Sequence, residues 1–246
     1  MLTRVLWAAI LAGVVAGLAV SAVHFSKVVP LILQAEVFEA GGGHNHGGEA
    51  AEPAQAVTQD HDHAAHEHDA AAEILPGGLP RGLLTIGANI LSGIAFSLLL
   101  AAGMSLSGQP LTVERGLLWG GAGFAAFSLA PALGLAPELP GMPAADLYAR
   151  QLWWLGTVIA TAGGLALLAF GRKRHFAVLA LVLIALPHVI GAPQPDSHDS
   201  GVPAALAASF AAASLAASAI MWLVIGGLLG RALPSFALHA SKAATA

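Results

Sequence analysis

LTRVLWAAILAGVVAGLAVSAVHFSKVV, residues 2–29, carries Arg4 and Lys27 near its ends, one histidine, and otherwise almost only aliphatic, small and aromatic side chains. A helix needs roughly 20 consecutive apolar residues to cross a bilayer's hydrocarbon core, and residues 5–28 supply them. The same run also fits a secretory signal, with Arg4 as its positive start, an apolar core over 5–20 and Val20-Ser21-Ala22 as a cleavage site. Apolar character resumes at VVPLIL (28–33), which favours a retained span. On either reading the polar stretch that follows faces the same side of the membrane.

The rest of the chain agrees with a membrane setting. Of its 246 residues 57% are hydrophobic and only 10% charged, against about 25% charged in soluble domains. Six stretches are long and apolar enough to span: 5–28, 82–105, 115–135, 151–170, 176–192 and 203–230. The fifth is short and ends at Pro187-His188, so a five-span arrangement stays open. Segments such as GQP (108–110), APELPGMP (136–143) and GAPQP (191–195) suit interfacial turns. The expected fold is an all-α integral membrane protein, one membrane domain over 1–246, built as a bundle of six or five transmembrane helices. The absence of cysteine excludes disulfides, iron–sulfur clusters and thiolate metal sites. GRKRH (171–175) and SK (241–242) lack phosphate-loop spacing, so no nucleotide-driven motor is expected. Neither a prosthetic group nor a nucleic-acid partner is expected.

Charge orients the bundle. With six spans and the N-terminus inside, Arg4, Arg115, Arg172, Lys173, Arg174, Arg231 and Lys242 are cytoplasmic, seven of the ten basic residues. Lys27, Arg81 and Arg150 fall outside. Thirteen of the fourteen acids also fall outside, leaving Glu114 within. Trp7, Trp119, Trp153, Trp154 and Trp222 lie toward span ends, where indole favours the interface. Gly13/Gly17, Gly116/Gly120 and Gly226/Gly230 form small-xxx-small faces for close helix packing.

Residues 36–80 form a histidine-rich, acidic extracytoplasmic loop between the first and second spans. From Glu36 to Glu73 there are nine acids, six histidines (His44, His46, His61, His63, His66 and His68) and no lysine or arginine. Such a segment cannot bury enough apolar surface to order itself and is expected to be disordered without a ligand. The two HxH pairs place imidazoles on one side of an extended strand. Imidazoles among carboxylates make a sulfur-free ligand set suited to Co²⁺, Ni²⁺, Zn²⁺ or Cu²⁺, and affinity alone does not separate these ions. The bland reading, a solvated acidic linker, fits a lone histidine better than six within 25 residues.

Ionisable groups near membrane depth mark where an ion could pass. His24, Glu36 and Glu39 lie on or just beyond the first span, and His188 lies beside Pro187 with His198 in the following loop. All five join the six loop histidines as candidate metal contacts. Lys27 and the two glutamates could instead simply snorkel to the interface. Asn89, Ser92, Ser128, Thr157, Thr161, Ser209, Ser214 and Ser218 read mainly as hydrogen-bonding links between helices.

The opening MLTRVLWAAILAGVVAGLAVSAVHFSKVVPLILQAEVFE is followed by RGLLWGGAGFAAFSLAPALGLAPELPG (115–141), RQLWWL (150–155) and ALPHVIGAPQPDSHDSGVP (185–203). Together these resemble the CbtA family, the larger membrane subunit of bacterial cobalt transporters. The resemblance covers essentially the whole chain, with LAPALGLAPELPG and LPHVIGAPQP its most specific parts. It implies cobalt uptake linked to cobalamin metabolism and a small, single-span, histidine-bearing partner, CbtB. The family is usually drawn with about five spans, and it supplies no ligand assignment to carry onto this chain.

Three functions follow for testing. The favoured one is transport of a divalent transition metal, cobalt with nickel or zinc as alternatives, across the bacterial cytoplasmic membrane. The second is a membrane-tethered protein that binds or senses metal and passes none. The third, an intramembrane enzyme, would need a grouping such as HExxH or GxSxG within a span, and neither occurs.

Overall fold

The computed structural model describes residues 2–42, 80–197 and 199–244, with side chains described except at 39–42 and 234–244. The chain runs α1 (Leu2–Val23), a π turn (His24–Val28), α2 (Val29–Gly42), α3 (Arg81–Leu106), α4 (Val113–Phe124), a second π turn (Ala125–Leu129), α5 (Ala130–Ala132), α6 (Leu147–Phe170), α7 (Arg174–Ile190) and α8 (Ala204–Ala244). The fold is all-α. Among the described residues four helices are long and apolar enough to cross a membrane, namely Leu2–Phe38, Arg81–Leu106, Leu147–Phe170 and Ala204–Leu233. The expected fifth span is α7, which is apolar but only 17 residues long. The expected third span is α4 with its π turn and α5.

The first helix does not stop at residue 28. It continues through the π turn and α2, so Leu2–Phe38 counts 37 residues, about 55 Å at 1.5 Å per residue. Pro30 is accommodated because it follows a turn already widened, in which the Val29 N–H reaches back to the His24 carbonyl. The second π turn repeats the device, with the Ala130 N–H on the Ala125 carbonyl and Pro131 directly after. In a regular helix a proline leaves a carbonyl one turn back without a donor and its ring strikes that carbonyl. An extra residue in the turn relieves the clash. Other boundaries are set by capping: Thr112 Oγ1 accepts from the Arg115 N–H at 3.2 Å, and Asp146 Oδ1 from the Ala149 N–H at 2.9 Å. Gly191, at φ +90°, ends α7.

Glycine decides which helices touch. A methyl group at Gly13 or Gly17 would strike the α3 backbone at Ile94 or Ile90, and one at Gly93 would strike Gly13. Gly116 and Gly120 of α4 meet Gly226, Gly230 and the Trp222 carbonyl of α8 in the same way. Lipid tails are as apolar as leucine, so close backbone approach supplies the attraction that hydrophobicity supplies in water. Between these two glycine seams lies a core of Met104, Trp222, Ile225 and Leu229, with Phe96 and Phe127 stacked about Trp222 at 4.8 and 5.3 Å. The α6–α7 hairpin sits to one side. It joins the rest through Phe127–Trp154 and Trp119–Phe170 aromatic contacts, at 6.1 and 6.4 Å.

Candidate metal path at the acidic end

The helix ends fall into two chemically distinct groups. Val28 and Ala35 of the first helix, Leu139, Val202 and Phe210 form one buried cluster. It ties the end of α2 to the loop before α6, the loop after α7 and the start of α8. Those two loops also enclose an open cavity of about 340 Å³, lined among others by Glu138, Gln194 and Ser200. At this end, among described side chains, stand the acids Glu36, Glu138, Asp146, Asp196 and Asp199, against the bases Lys27, Arg81 and Arg150. Arg4, Arg115, Arg172, Lys173, Arg174 and Arg231 lie toward the opposite end, where the one described acid is Glu114. The separation of charge expected from the sequence is therefore a property of the folded bundle.

His24, in the first π turn, is half-buried, and its Nδ1 lies 3.1 Å from Asn89 Nδ2 on α3. The same amide nitrogen donates to Ser21 Oγ at 3.0 Å, and Ser21 Oγ donates to the Gly17 carbonyl at 2.8 Å. Lys27, one turn further on, is exposed and borders a groove of about 360 Å³ between the first helix and α8. Glu36 forms an ion pair with Arg81 at 3.2 Å, a pairing of residues 45 apart that no local spacing reveals. Glu138 and Arg150 pair likewise at 2.8 Å, and both are less exposed. Glu36, near the end of the first helix, and Glu138, in the loop before α6, are thus each tied to an arginine near the start of the long helix that follows in the chain.

His188 is placed on the hairpin. Its ring stands edge-on to Trp153 at 5.9 Å, and its Nε2 is buried without a hydrogen-bond partner. Trp153 Nε1 donates to the Pro187 carbonyl at 3.2 Å, which braces the chain beside the histidine. Among the described residues no three of His, Cys, Asp and Glu come together as a metal would require. His24 and Glu36 belong to the first helix and His188 to the hairpin. His44, His46, His61, His63, His66, His68 and His198 lie outside the described residues, as does the side chain of Glu39. Asn89 and Ser128 do link helices as expected, Ser128 Oγ meeting Ser218 Oγ at 2.6 Å. Ser21 was not expected to matter. Its signal was its place four residues after Gly17 and three before His24.

Fold and site define a multi-pass, α-helical membrane protein with opposite charge excesses at its two ends and imidazole within reach of the acidic one. Residues 2–233 match the family model of CbtA, the probable cobalt transporter subunit, and the chain belongs to that family. No curated protein and no solved structure shows a match.

Proposed function

We propose that this protein is the membrane subunit that passes a divalent transition-metal ion, cobalt foremost, inward across the bacterial cytoplasmic membrane. In this reading the N-terminus is cytoplasmic and the histidine-rich stretch outside gathers the ion. The observation that carries it is the gathering of acids at the bundle end from which the six-histidine segment departs, in a chain of a cobalt transporter subunit family. Acids concentrate cations near a mouth, imidazoles bind them selectively over Ca²⁺ and Mg²⁺, and His24 is the first described imidazole below. The word subunit in the family's description supports a partner, which we take to be a small, single-span, histidine-bearing chain.

The driving force is sufficient without a motor. One charge crossing 100 mV is worth about 2.3 kcal/mol, so a divalent ion gains about 4.6 kcal/mol moving to an inside-negative compartment. Proteoliposomes holding the purified protein, with and without the partner, test the reading by uptake of Co²⁺, Ni²⁺ or Zn²⁺ under an inside-negative potential. Entry of Co²⁺ in either preparation supports it. Binding with no entry in both would replace transport by sequestration or sensing. Alanine at all six loop histidines should raise the half-saturating concentration more than it lowers the maximal rate. Equal loss of both would count against a capture role.

A further inference from the structure

The two ring nitrogens of His24 are not equivalent. Ser21 has one hydroxyl proton and gives it to the Gly17 carbonyl, so toward α3 its oxygen accepts, and Asn89 Nδ2 donates to it. The amide nitrogen has a second hydrogen and no accepting role, and it faces His24 Nδ1 at 3.1 Å. Nδ1 therefore accepts with its lone pair. A neutral imidazole whose Nδ1 accepts carries its proton on Nε2. In this arrangement neither nitrogen has a lone pair free for a cation.

We propose that Asn89 is a positioning residue that holds His24 in its non-ligating form, making it a weak, quickly released ligand; this rests on the reading of His24 as an ion contact. For Nε2 to coordinate, its proton must leave to solvent while Nδ1 takes one up, so the ring stays neutral and its proton changes nitrogen. The new Nδ1–H needs an acceptor, so the Asn89 amide must turn to present Oδ1. Ser21 then faces Oδ1 in its turn and must swing its hydroxyl away from the Gly17 carbonyl. Three hydrogen bonds are remade for one metal bond. Metal-ligating histidines usually donate instead to a carboxylate or carbonyl that raises their basicity. A conducting site gains from the opposite arrangement, because an ion held too well does not leave.

The test uses the full-length protein with the six loop histidines replaced by alanine, in nanodiscs for binding and proteoliposomes for uptake. Asn89→Asp supplies a fixed acceptor where the amide donor stood. Co²⁺ affinity, followed by cobalt absorption, should rise about tenfold, the lower end of the change that outer ligand-orienting groups produce. The maximal Co²⁺ uptake rate should fall, and His24→Ala should cancel the gain in affinity. As a check independent of Asn89 variants, ¹⁵N spectra of ring-labelled histidine, assigned against His24→Ala, should show Nε2-protonated His24 in the metal-free protein. An Nδ1-protonated ring, or no tightening in Asn89→Asp, overturns the proposal. Weaker binding in His24→Ala without tightening in Asn89→Asp would remove the proposal and leave His24 a ligand. If His24→Ala changes neither binding nor uptake, the ligand reading falls as well.

Discussion

The helices joined by glycine and the α6–α7 hairpin are both apolar and both run between the acidic and basic ends, yet they are held by different means. In α1, α3, α4 and α8 backbones meet directly, and a single methyl at Gly13, Gly116 or Gly226 has nowhere to go. In the hairpin, Gly164 lets α6 meet the Ala180 carbonyl and Ile184 of α7, but Gly156 and Gly163 face open space and no glycine of the hairpin meets the backbone of α1, α3, α4 or α8. Its links to the rest run through indole and phenyl rings and the Arg150–Glu138 ion pair, and one hydrogen bond from Trp153 to the Pro187 carbonyl braces the hairpin internally. Dispersion between close backbones acts over many atoms at once and tolerates little displacement. A few aromatic contacts leave a cooperative unit that can open at lower cost. The comparison assigns rigidity to the part that holds His24 and freedom to the part that holds His188.

Gly116→Leu tests that contrast most severely. It should destabilise the detergent-solubilised protein by about 3 kcal/mol or more, at the upper end for overpacking, while Gly163→Leu leaves thermal unfolding unchanged. Equal tolerance at both positions would erase the distinction. Trp222→Ala comes next, at roughly 3 kcal/mol for emptying a large buried site. Trp154→Ala, on the partly exposed hairpin ring, should cost about 1 kcal/mol. Trp153→Phe keeps an aromatic ring, though a smaller one, and removes the hydrogen bond to the Pro187 carbonyl, worth about 1 kcal/mol. Hydrogen exchange should then quicken at the amides of 188–191 and stay unchanged in α3. The smallest expected effect separates the two ion pairs. Glu138→Gln should cost more than Glu36→Gln, each under about 1 kcal/mol, and both differences should shrink in high salt.

The glycine faces were legible because a four-residue spacing puts both glycines on one side of a helix. Their partners were not, since periodicity names a face and says nothing of what lies across from it. Gly93 lacks a second glycine at that spacing and gave no signal. Pro30 and Pro131 announced irregular turns, but an added residue in a turn has no composition of its own, so the first span was drawn ending near 28 when the helix runs on to Gly42. Within the candidate site, His24 and His188 stood out as ionisable groups in apolar runs. Asn89 was visible as a polar group suited to linking helices, and it does link them. That its donor side meets the histidine depends on Ser21 being already committed to Gly17, which only packing decides. The Glu36–Arg81 and Glu138–Arg150 pairs were hidden for the same reason, the first joining two helices and the second a loop to α6.

The brevity of α7 has a consequence for the surrounding lipid. Seventeen residues reach about 26 Å, short of the roughly 30 Å hydrocarbon thickness of an average bilayer. Next to it α6 has 24 residues, about 36 Å, so the two arms of one hairpin call for different membrane depths. A bilayer accommodates such unequal arms by thinning along the shorter one or by tilting the longer, each at a fraction of a kcal/mol per ångström of mismatch. Shorter acyl chains would fit that flank more closely than long ones, which makes local bilayer thickness a setting of the hairpin's posture and joins the protein's mechanics to the composition of its host membrane.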